Sequence, residues 1–277
     1  MTREMITGSL RKMKTRLADV VEYSLPVGDS LIALNPLIGA NISMEYSGEI
    51  HCIHCDRKTS KSFNQGYCYP CFKSLAECDM CIMRPETCHF HKGTCRDNEW
   101  AEGHCMQEHY VYIANSSGLK VGITRGNQIP TRWMDQGARQ AVPIFKVDNR
   151  YHSGLLEAAI KRHVSDRTDW RKMLKGGGEL VDLAGKAAEI LEQAKPDIDA
   201  IIAEDGDFQA EALQQPGIEI EFPVQQHPDK VSSLNFDKTP LVTGELQGIK
   251  GQYLMLDSGV INIRKFAGYN VAFSQRS

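Results

Sequence analysis

The sequence has no cysteine after Cys105, although it contains nine in total. It also has no apolar run near the roughly 20 residues that span a bilayer. No apolar stretch follows residues 1–5 in the manner of a signal peptide. We therefore expect a cytoplasmic chain with no membrane partner, where thiols stay reduced and paired cysteines bind metal more often than they form disulfides.

The cysteines that are present begin with the pattern Cys52-x2-Cys55-x12-Cys68-x2-Cys71. Zinc prefers a tetrahedron of thiolates and imidazoles, and two CxxC turns that face each other supply four ligands. Residues 52–108 are too polar to build a large core, so metal is expected to hold them together. Because the protein supplies every ligand, we predict a structural zinc in a region that resembles a zinc ribbon. His51 and His54 are either spare ligands or surface histidines.

A second zinc site is predicted from the donors that follow. Cys78 and Cys81 form another CxxC pair, and Cys88 and Cys95 are the preferred second half of the site. Spacing alone does not select among the donors of this region. The competing ligands are His91, His104 and Cys105.

Composition and pattern predict an α+β protein. The 42% hydrophobic content is ordinary for a globular chain, and 277 residues have room for about two domains. Chain termini often lie close together, so the β-rich ends are candidates for pairing. The segments expected are a β-rich part at 1–51, the cysteine-rich region at 52–108, an α/β unit at 109–175, an acidic helical part at 176–215 and a β-rich part at 216–277.

The charge is unevenly distributed although the net value is only -3. Residues 110–175 carry 12 Lys and Arg against 5 Asp and Glu, whereas residues 176–215 carry 2 against 10. A basic block can face the phosphates of a nucleic acid. The alternative is a solvated surface whose charges balance locally.

The α/β unit has the predicted order β-β-α-β-α. Alternating residues at 110–114 and 119–124 favour two strands joined by a turn. A short helix at 131–136 follows Pro130. Residues 141–147 are expected to form an edge strand, because Pro143 would spoil a central one. Residues 155–163 predict a second helix, and residues 179–203 a third that Pro196 interrupts.

Within this unit, Tyr-Val-Tyr at residues 110–112 and Lys-Val-Gly at residues 120–122 resemble the motifs of the GIY-YIG nuclease superfamily. Arg132 on the first helix and Glu157 on the next stand at matching places. The pattern departs from the superfamily at Tyr110, which replaces a glycine, and at Lys120, which replaces a tyrosine. Together with the upstream cysteines, the chain also resembles an uncharacterised bacterial family that holds zinc and is defined only as a domain of unknown function.

The resemblance implies a metal-dependent endonuclease acting on DNA or RNA. Tyr112 would activate a water, Glu157 would hold one Mg²⁺ or Mn²⁺, and Arg132 would stabilise charge on the phosphate. The chemistry is consistent with the residues: a phenol with a pKa near 10 needs nearby positive charge to act as a base, and Lys120, Arg125 and the metal can supply it. One carboxylate with phosphate oxygens and waters is a normal Mg²⁺ site.

Each catalytic candidate also has a structural alternative. Tyr112 can be a core tyrosine, Glu157 can pair with Lys161 four residues on, and Arg132 can pair with Asp135.

Candidates for nucleic-acid contact are Arg125, Lys161 and Arg171. Arg171 lies in a basic run at residues 166–172, where Trp170 can stack on a base or pack between domains. His109 can bind phosphate or simply occupy a strand edge. Two further functions remain open: a nucleic-acid-binding protein without catalysis, and an adaptor that binds another protein through residues 176–215.

Overall fold

The computed structural model of the protein describes residues 5–164 and 169–276. The first part of the predicted basic run, residues 166–168, lies outside them. The fold is mixed α+β with several sheets. No helix in the described part of the chain is both long and apolar enough to cross a bilayer.

Most of the regular structure is β. The strands in the described ranges are β1 (Ile6–Ser9), β2 (Lys14–Arg16), β3 (Glu22–Val27), β4 (Ser30–Ala33), β5 (Asn41–His51), β6 (Lys58–Thr59), β7 (His109–Asn115), β8 (Leu119–Arg125), β9 (Gln140–Val147), β10 (Ala210–Ala212), β11 (Ile218–Glu219), β12 (Leu241–Lys250), β13 (Tyr253–Leu256), β14 (Gly259–Asn262) and β15 (Tyr269–Arg276). The helices are α1 (Tyr69–Ser74), α2 (Asn98–His104), α3 (Thr131–Asp135), α4 (Arg150–Lys161), α5 (Trp170–Leu174) and α6 (Leu183–Glu204).

The largest sheet joins the two ends of the chain. Its order is β1-β15-β5-β12-β13-β14, with β6 paired to β5, and every pair is antiparallel. Phe273 lies opposite Met44 on one side and Ile6 on the other. The pairing of the β-rich ends is therefore observed. A three-stranded sheet, β2-β3-β4, shares one buried core with it.

A five-stranded sheet carries the segment with the predicted site. Its order is β10-β9-β7-β8, and β11 also pairs with β9. The pleat of β7 sends alternate side chains to opposite faces. Tyr112 and Ala114 join the core shared with the terminal sheets, whereas Val111 and Ile113 pack in a second core under α4 and α6.

The predicted order β-β-α-β-α is confirmed by β7, β8, α3, β9 and α4. The prediction that β9 is an edge strand is wrong, because β9 lies between β7 and the pair β10 and β11. Pro143 stands where the register between β7 and β9 shifts, opposite Tyr112. Bulges tolerate a residue that cannot donate to the ladder.

The acidic segment forms α6 over 22 residues, and Pro196 does not interrupt it. The Asp182 side chain accepts a hydrogen bond from Gly185 N at 3.0 Å and caps its start. Beyond the proline the helix keeps its apolar face, since Ala194 and Ile198 are both buried in the second core. Packing of that face thus outweighs the hydrogen bond that Pro196 cannot make.

Candidate functional site

The first four cysteines come together as predicted. The sulfur atoms of Cys52, Cys55, Cys68 and Cys71 all lie within 4.8 Å of one another. Cys52 directly follows β5, Cys68 is the N-cap of α1, and Cys71 lies in its first turn. Four thiols at this separation are positioned to hold a structural zinc ion in a tetrahedron.

The backbone of the first CxxC turn favours a thiolate. Burial opposes ionisation of Cys52, but N–H groups of Cys55, Cys68 and His54 donate to its sulfur and lower its pKa to about 6. Such N–H donors stabilise a ligand that must lose its proton to bind metal. His51 and His54 are not part of the four-sulfur cluster. Instead, their rings face the carboxylates of Glu49 and Glu77.

The second predicted ligand set is not brought together as a unit. Among the described residues, the second group of ligand atoms within 4.8 Å of one another comprises Asp79, Cys81 and His89. Cys78 lies instead beside Asn64 and near Cys52 of the first cluster. Cys95 donates to Asp97 O at 3.4 Å. Cys78 ends one short 3-10 helix and Cys81 lies in the next.

The competing donors also lie outside that group. His104 Nδ1 donates to Trp100 O at 2.9 Å, and the His104 ring stacks on the Trp100 indole. His91 lies at 5.5 Å from the Tyr151 ring. Cys105 is buried, and burial raises its pKa to about 11.

Tyr112 is completely buried on β7, with its hydroxyl group directed towards α3. The hydroxyl donates to Gln136 Oε1 at 3.0 Å, and the ring meets Trp133 edge-on at 5.9 Å. Burial raises the pKa of Tyr112, while the nearby Arg132 guanidinium opposes that rise and Glu157 adds to it. The phenol is therefore a protonated hydrogen-bond donor at neutral pH.

Arg132 lies in α3 with its guanidinium within hydrogen-bonding reach of the Tyr112 hydroxyl. The pairing of Arg132 with Asp135 that the sequence allowed is not what occurs. Asp135 forms a salt bridge with Lys12 and accepts from Gln252 Nε2 at 2.9 Å. These contacts anchor α3 to the terminal sheets and leave Arg132 directed at the Tyr112 hydroxyl.

Glu157 lies on α4 and shares the surroundings of Tyr112 and Arg132. Burial raises its pKa, and the positive charges of Lys161, Arg150 and Arg132 partly offset that effect. Among the described residues, the Lys161 ammonium lies near the Glu157 carboxylate but beyond the 4 Å that defines a salt bridge. Tyr112, Arg132 and Glu157, predicted from three separate elements, are thus brought together.

Two further arginines at this site were not found from the sequence. Arg150 begins α4, and Arg264 lies in a short 3-10 helix after β14. Burial lowers the pKa of both guanidinium groups, and the charge of Arg132 lowers both further. Across residues 5–164 and 169–276, no carboxylate stands within salt-bridge distance of Arg132, Arg150 or Arg264. Arg264 could not be expected, because it lies 132 positions after Arg132.

His109 and Arg125 lie opposite each other at the far ends of β7 and β8. His109 is fully buried, its Nδ1 atom lies 2.6 Å from Gln107 O, and its Nε2 atom has no partner in the described structure. Burial lowers the pKa of His109 to about 4, and the charges of Arg150 and Arg125 contribute. A neutral imidazole here is a buried structural group.

The remaining predicted residues lie around the site. Lys120 lines a separate cavity of about 200 Å³ together with Gln136, Trp170 and Tyr253. The exposed Arg171 guanidinium lies 4.4 Å from the centre of the Trp170 ring, which in turn stacks on Tyr253 at 5.4 Å. Lys161 is exposed on α4. Gln136 links the cavity to the Tyr112 hydroxyl.

The fold and the four-cysteine cluster define a mixed α+β protein compatible with zinc binding. A family model described as "Protein of unknown function (DUF2797)" matches residues 39–271, and the chain belongs to that family. The match extends from just before β5 to within β15, so it includes both the cysteines and the Tyr112 site. No curated protein and no solved structure gives a significant match.

Proposed function

We propose that the chain is a divalent-metal-dependent endonuclease of the GIY-YIG type. The observation that supports this function best is the meeting of Tyr112, Arg132 and Glu157 from β7, α3 and α4. The superfamily pattern requires these residue types in this chain order, and the order β-β-α-β-α agrees with it. We expect a phosphodiester substrate to bind where these three side chains meet.

The arginines around Arg132 support an anionic substrate. Burial lowers the pKa of Arg150 and of Arg264, and the charge of Arg132 lowers both further. A phosphate group placed among them would relieve that repulsion, and a guanidinium can hold two phosphate oxygens at once. We assign this clamping role to Arg132, because it is the member nearest the Tyr112 hydroxyl.

Glu157 fits the role of metal ligand. Its partial burial disfavours the ionised carboxylate, so a cation that keeps it ionised would be bound favourably. Glu86 lies near enough to raise the pKa of Glu157 and is a second carboxylate at the same place. When bound, Mg²⁺ or Mn²⁺ would neutralise charge on the phosphate oxygens.

The role of Tyr112 differs from the one implied by the resemblance. A phenol whose pKa is raised by burial does not act as a base at neutral pH. We assign it the role of hydrogen-bond donor, which exchanges Gln136 Oε1 for an oxygen of the substrate or of the attacking water. The Tyr112→Phe variant, which removes this donor, is expected to lose cleavage.

The test is cleavage of supercoiled DNA, single-stranded DNA and folded RNA with Mg²⁺ or Mn²⁺. We expect Glu157→Gln to lose cleavage while it retains substrate binding, because glutamine keeps the shape but not the charge. Glu192→Gln, at an exposed position of α6, serves as the matched control and should cleave like the wild type. Cleavage by Glu157→Gln at the wild-type rate would overturn the assignment.

A second function, nucleic-acid binding without catalysis, is favoured by one observation. Tyr112 is fully buried and its hydroxyl already has a partner in Gln136. In that case, binding would fall steeply with salt and no metal would induce cleavage. Absence of nucleic-acid affinity even at low salt would favour a protein adaptor that uses residues 176–215.

A further inference from the structure

Three different ligand types converge in the loop that follows α1. A carboxylate oxygen of Asp79, the sulfur of Cys81 and a ring nitrogen of His89 all lie within 4.8 Å of one another. We propose that these residues hold a second metal ion and that the ion is zinc. Zinc accepts sulfur, imidazole and carboxylate ligands together, and this mixed set suits it better than the hard cations Mg²⁺ and Ca²⁺.

The ligands are held in place by neighbours outside the group. Arg96 Nε lies 2.6 Å from the Asp79 carboxylate, and His89 Nδ1 lies 2.8 Å from Thr94 Oγ1. The other ring nitrogen, His89 Nε2, faces Asp79 at 3.8 Å. A ligand histidine whose second nitrogen is fixed by a hydrogen bond is typical of metal sites, since that contact sets the ring orientation.

A fourth ligand is available from the same loop. The Cys88 thiol lies within hydrogen-bonding reach of the Cys81 sulfur, and the charge of His89 reaches it as well. A small shift of Cys88 would complete a tetrahedron of two sulfurs, one nitrogen and one oxygen. This ligand set differs from the four cysteines predicted from the sequence. Asp79 takes the place of Cys78, and His89 takes the place of Cys95.

The position of this site couples it to both other features of the molecule. Arg96 also donates to Leu75 O at 3.1 Å, at the end of the helix that carries Cys71. On the other side, Arg150 Nη2 donates to Ile82 O at 2.7 Å. A Cβ atom on Gly154 would lie 2.6 Å from Glu86 N, so α4 packs directly on the loop. The metal would therefore fix the loop that supports Arg150.

The zinc content of the purified full chain tests the proposal without reference to nuclease activity. We expect two zinc ions per chain by elemental analysis and by native mass spectrometry. Asp79→Asn and His89→Gln should each bind one, and Cys55→Ser should lose the other. Cys95→Ser, which lies outside both clusters, is the matched control and should keep two.

Either of two results would overturn the proposal: a wild-type chain with one zinc, or two zinc ions retained in both Asp79→Asn and His89→Gln. One zinc in the wild type would mean that Asp79, Arg96 and His89 form only an ion-pair network. If circular dichroism shows that the variants do not fold, stepwise removal of zinc from the wild type by a chromogenic chelator tests whether the second site exists. Release in two one-equivalent phases supports the site, and a single one-equivalent release contradicts it.

Discussion

The Tyr112 side chain on β7 crosses the neighbouring strand β8 at Gly122. The two residues are cross-strand partners, and a Cβ atom on Gly122 would lie 2.6 Å from the Tyr112 hydroxyl oxygen. Real Cβ atoms do not approach an oxygen this closely. The absent side chain of Gly122 therefore gives the phenol its path to α3, where it meets Gln136 and Arg132.

Gly122→Ala is expected to displace the Tyr112 ring. Overpacking in a buried site costs about 1–3 kcal/mol, so the free energy of unfolding should fall by that amount. Under the proposed function, nucleic-acid cleavage should fall as well, because the Tyr112 hydroxyl would move away from the Arg132 guanidinium. Gly118→Ala is the control, since its added methyl group meets no atom within 4 Å. Urea unfolding of both variants measures the difference, and equal stability would contradict the packing argument.

The sequence allows the site to be predicted where a short pattern places residues on consecutive elements. Tyr112, Arg132 and Glu157 are singled out by the resemblance to the GIY-YIG superfamily, whose motifs fall on the predicted hairpin and the two helices. Arg150 and Arg264 are not, because their contribution depends on how α4 and the strands near the C-terminus pack around α3. Likewise, ligand-spacing rules consider cysteine and histidine and so do not indicate Asp79, whose grouping with Cys81 depends on loop geometry.

Burial of Glu157 predicts a pH-dependent stability. Its pKa is raised above the ordinary value of 4.5, so the native state binds the proton more tightly than the unfolded state does. The free energy of unfolding should then fall as pH rises above about 4.5, until the carboxyl group is fully ionised. Glu157→Gln should be more stable than the wild type at pH 7, and the difference should vanish near pH 4.

Thermal unfolding without added Mg²⁺ or Mn²⁺ measures this effect, because a bound cation would mask it. A Glu157→Gln variant that is less stable than the wild type at pH 7 would show that the arginines need the negative charge. That result would contradict a net cost of the buried carboxylate.

The lowered pKa of His109 predicts a pH dependence of stability opposite to that expected from Glu157. Burial, assisted by Arg150 and Arg125, lowers its pKa from 6.5 to about 4. The unfolded chain binds the proton first, so stability is complete above pH 6.5 and is lost as pH falls towards 4. A shift of this size corresponds to about 3 kcal/mol. Urea unfolding at several pH values should show a weaker dependence in His109→Gln, and an identical dependence would contradict the assignment.

The strands show the same division between local pattern and tertiary packing. β7 and β8 contain the strands predicted at residues 110–114 and 119–124, because alternation and the turn between them are local features of the sequence. Pro143 alone predicts an edge position for β9, but β10 and β11, which follow more than 60 residues later in the chain, pair with its outer side. Partners distant in sequence therefore determine what a local pattern leaves open.

Under the proposed function, we predict that Arg171 contributes measurably to nucleic-acid affinity. Its guanidinium is exposed above the Trp170 ring, beside the cavity that contains Lys120. If it contacts one phosphate, Arg171→Ala should weaken binding to all sequences alike and reduce the salt slope by about 1. Lys186→Ala, on the acidic helix α6, is the control for loss of one exposed positive charge. Fluorescence anisotropy at several salt concentrations gives both slopes, and equal slopes for the two variants would place Arg171 outside the binding surface.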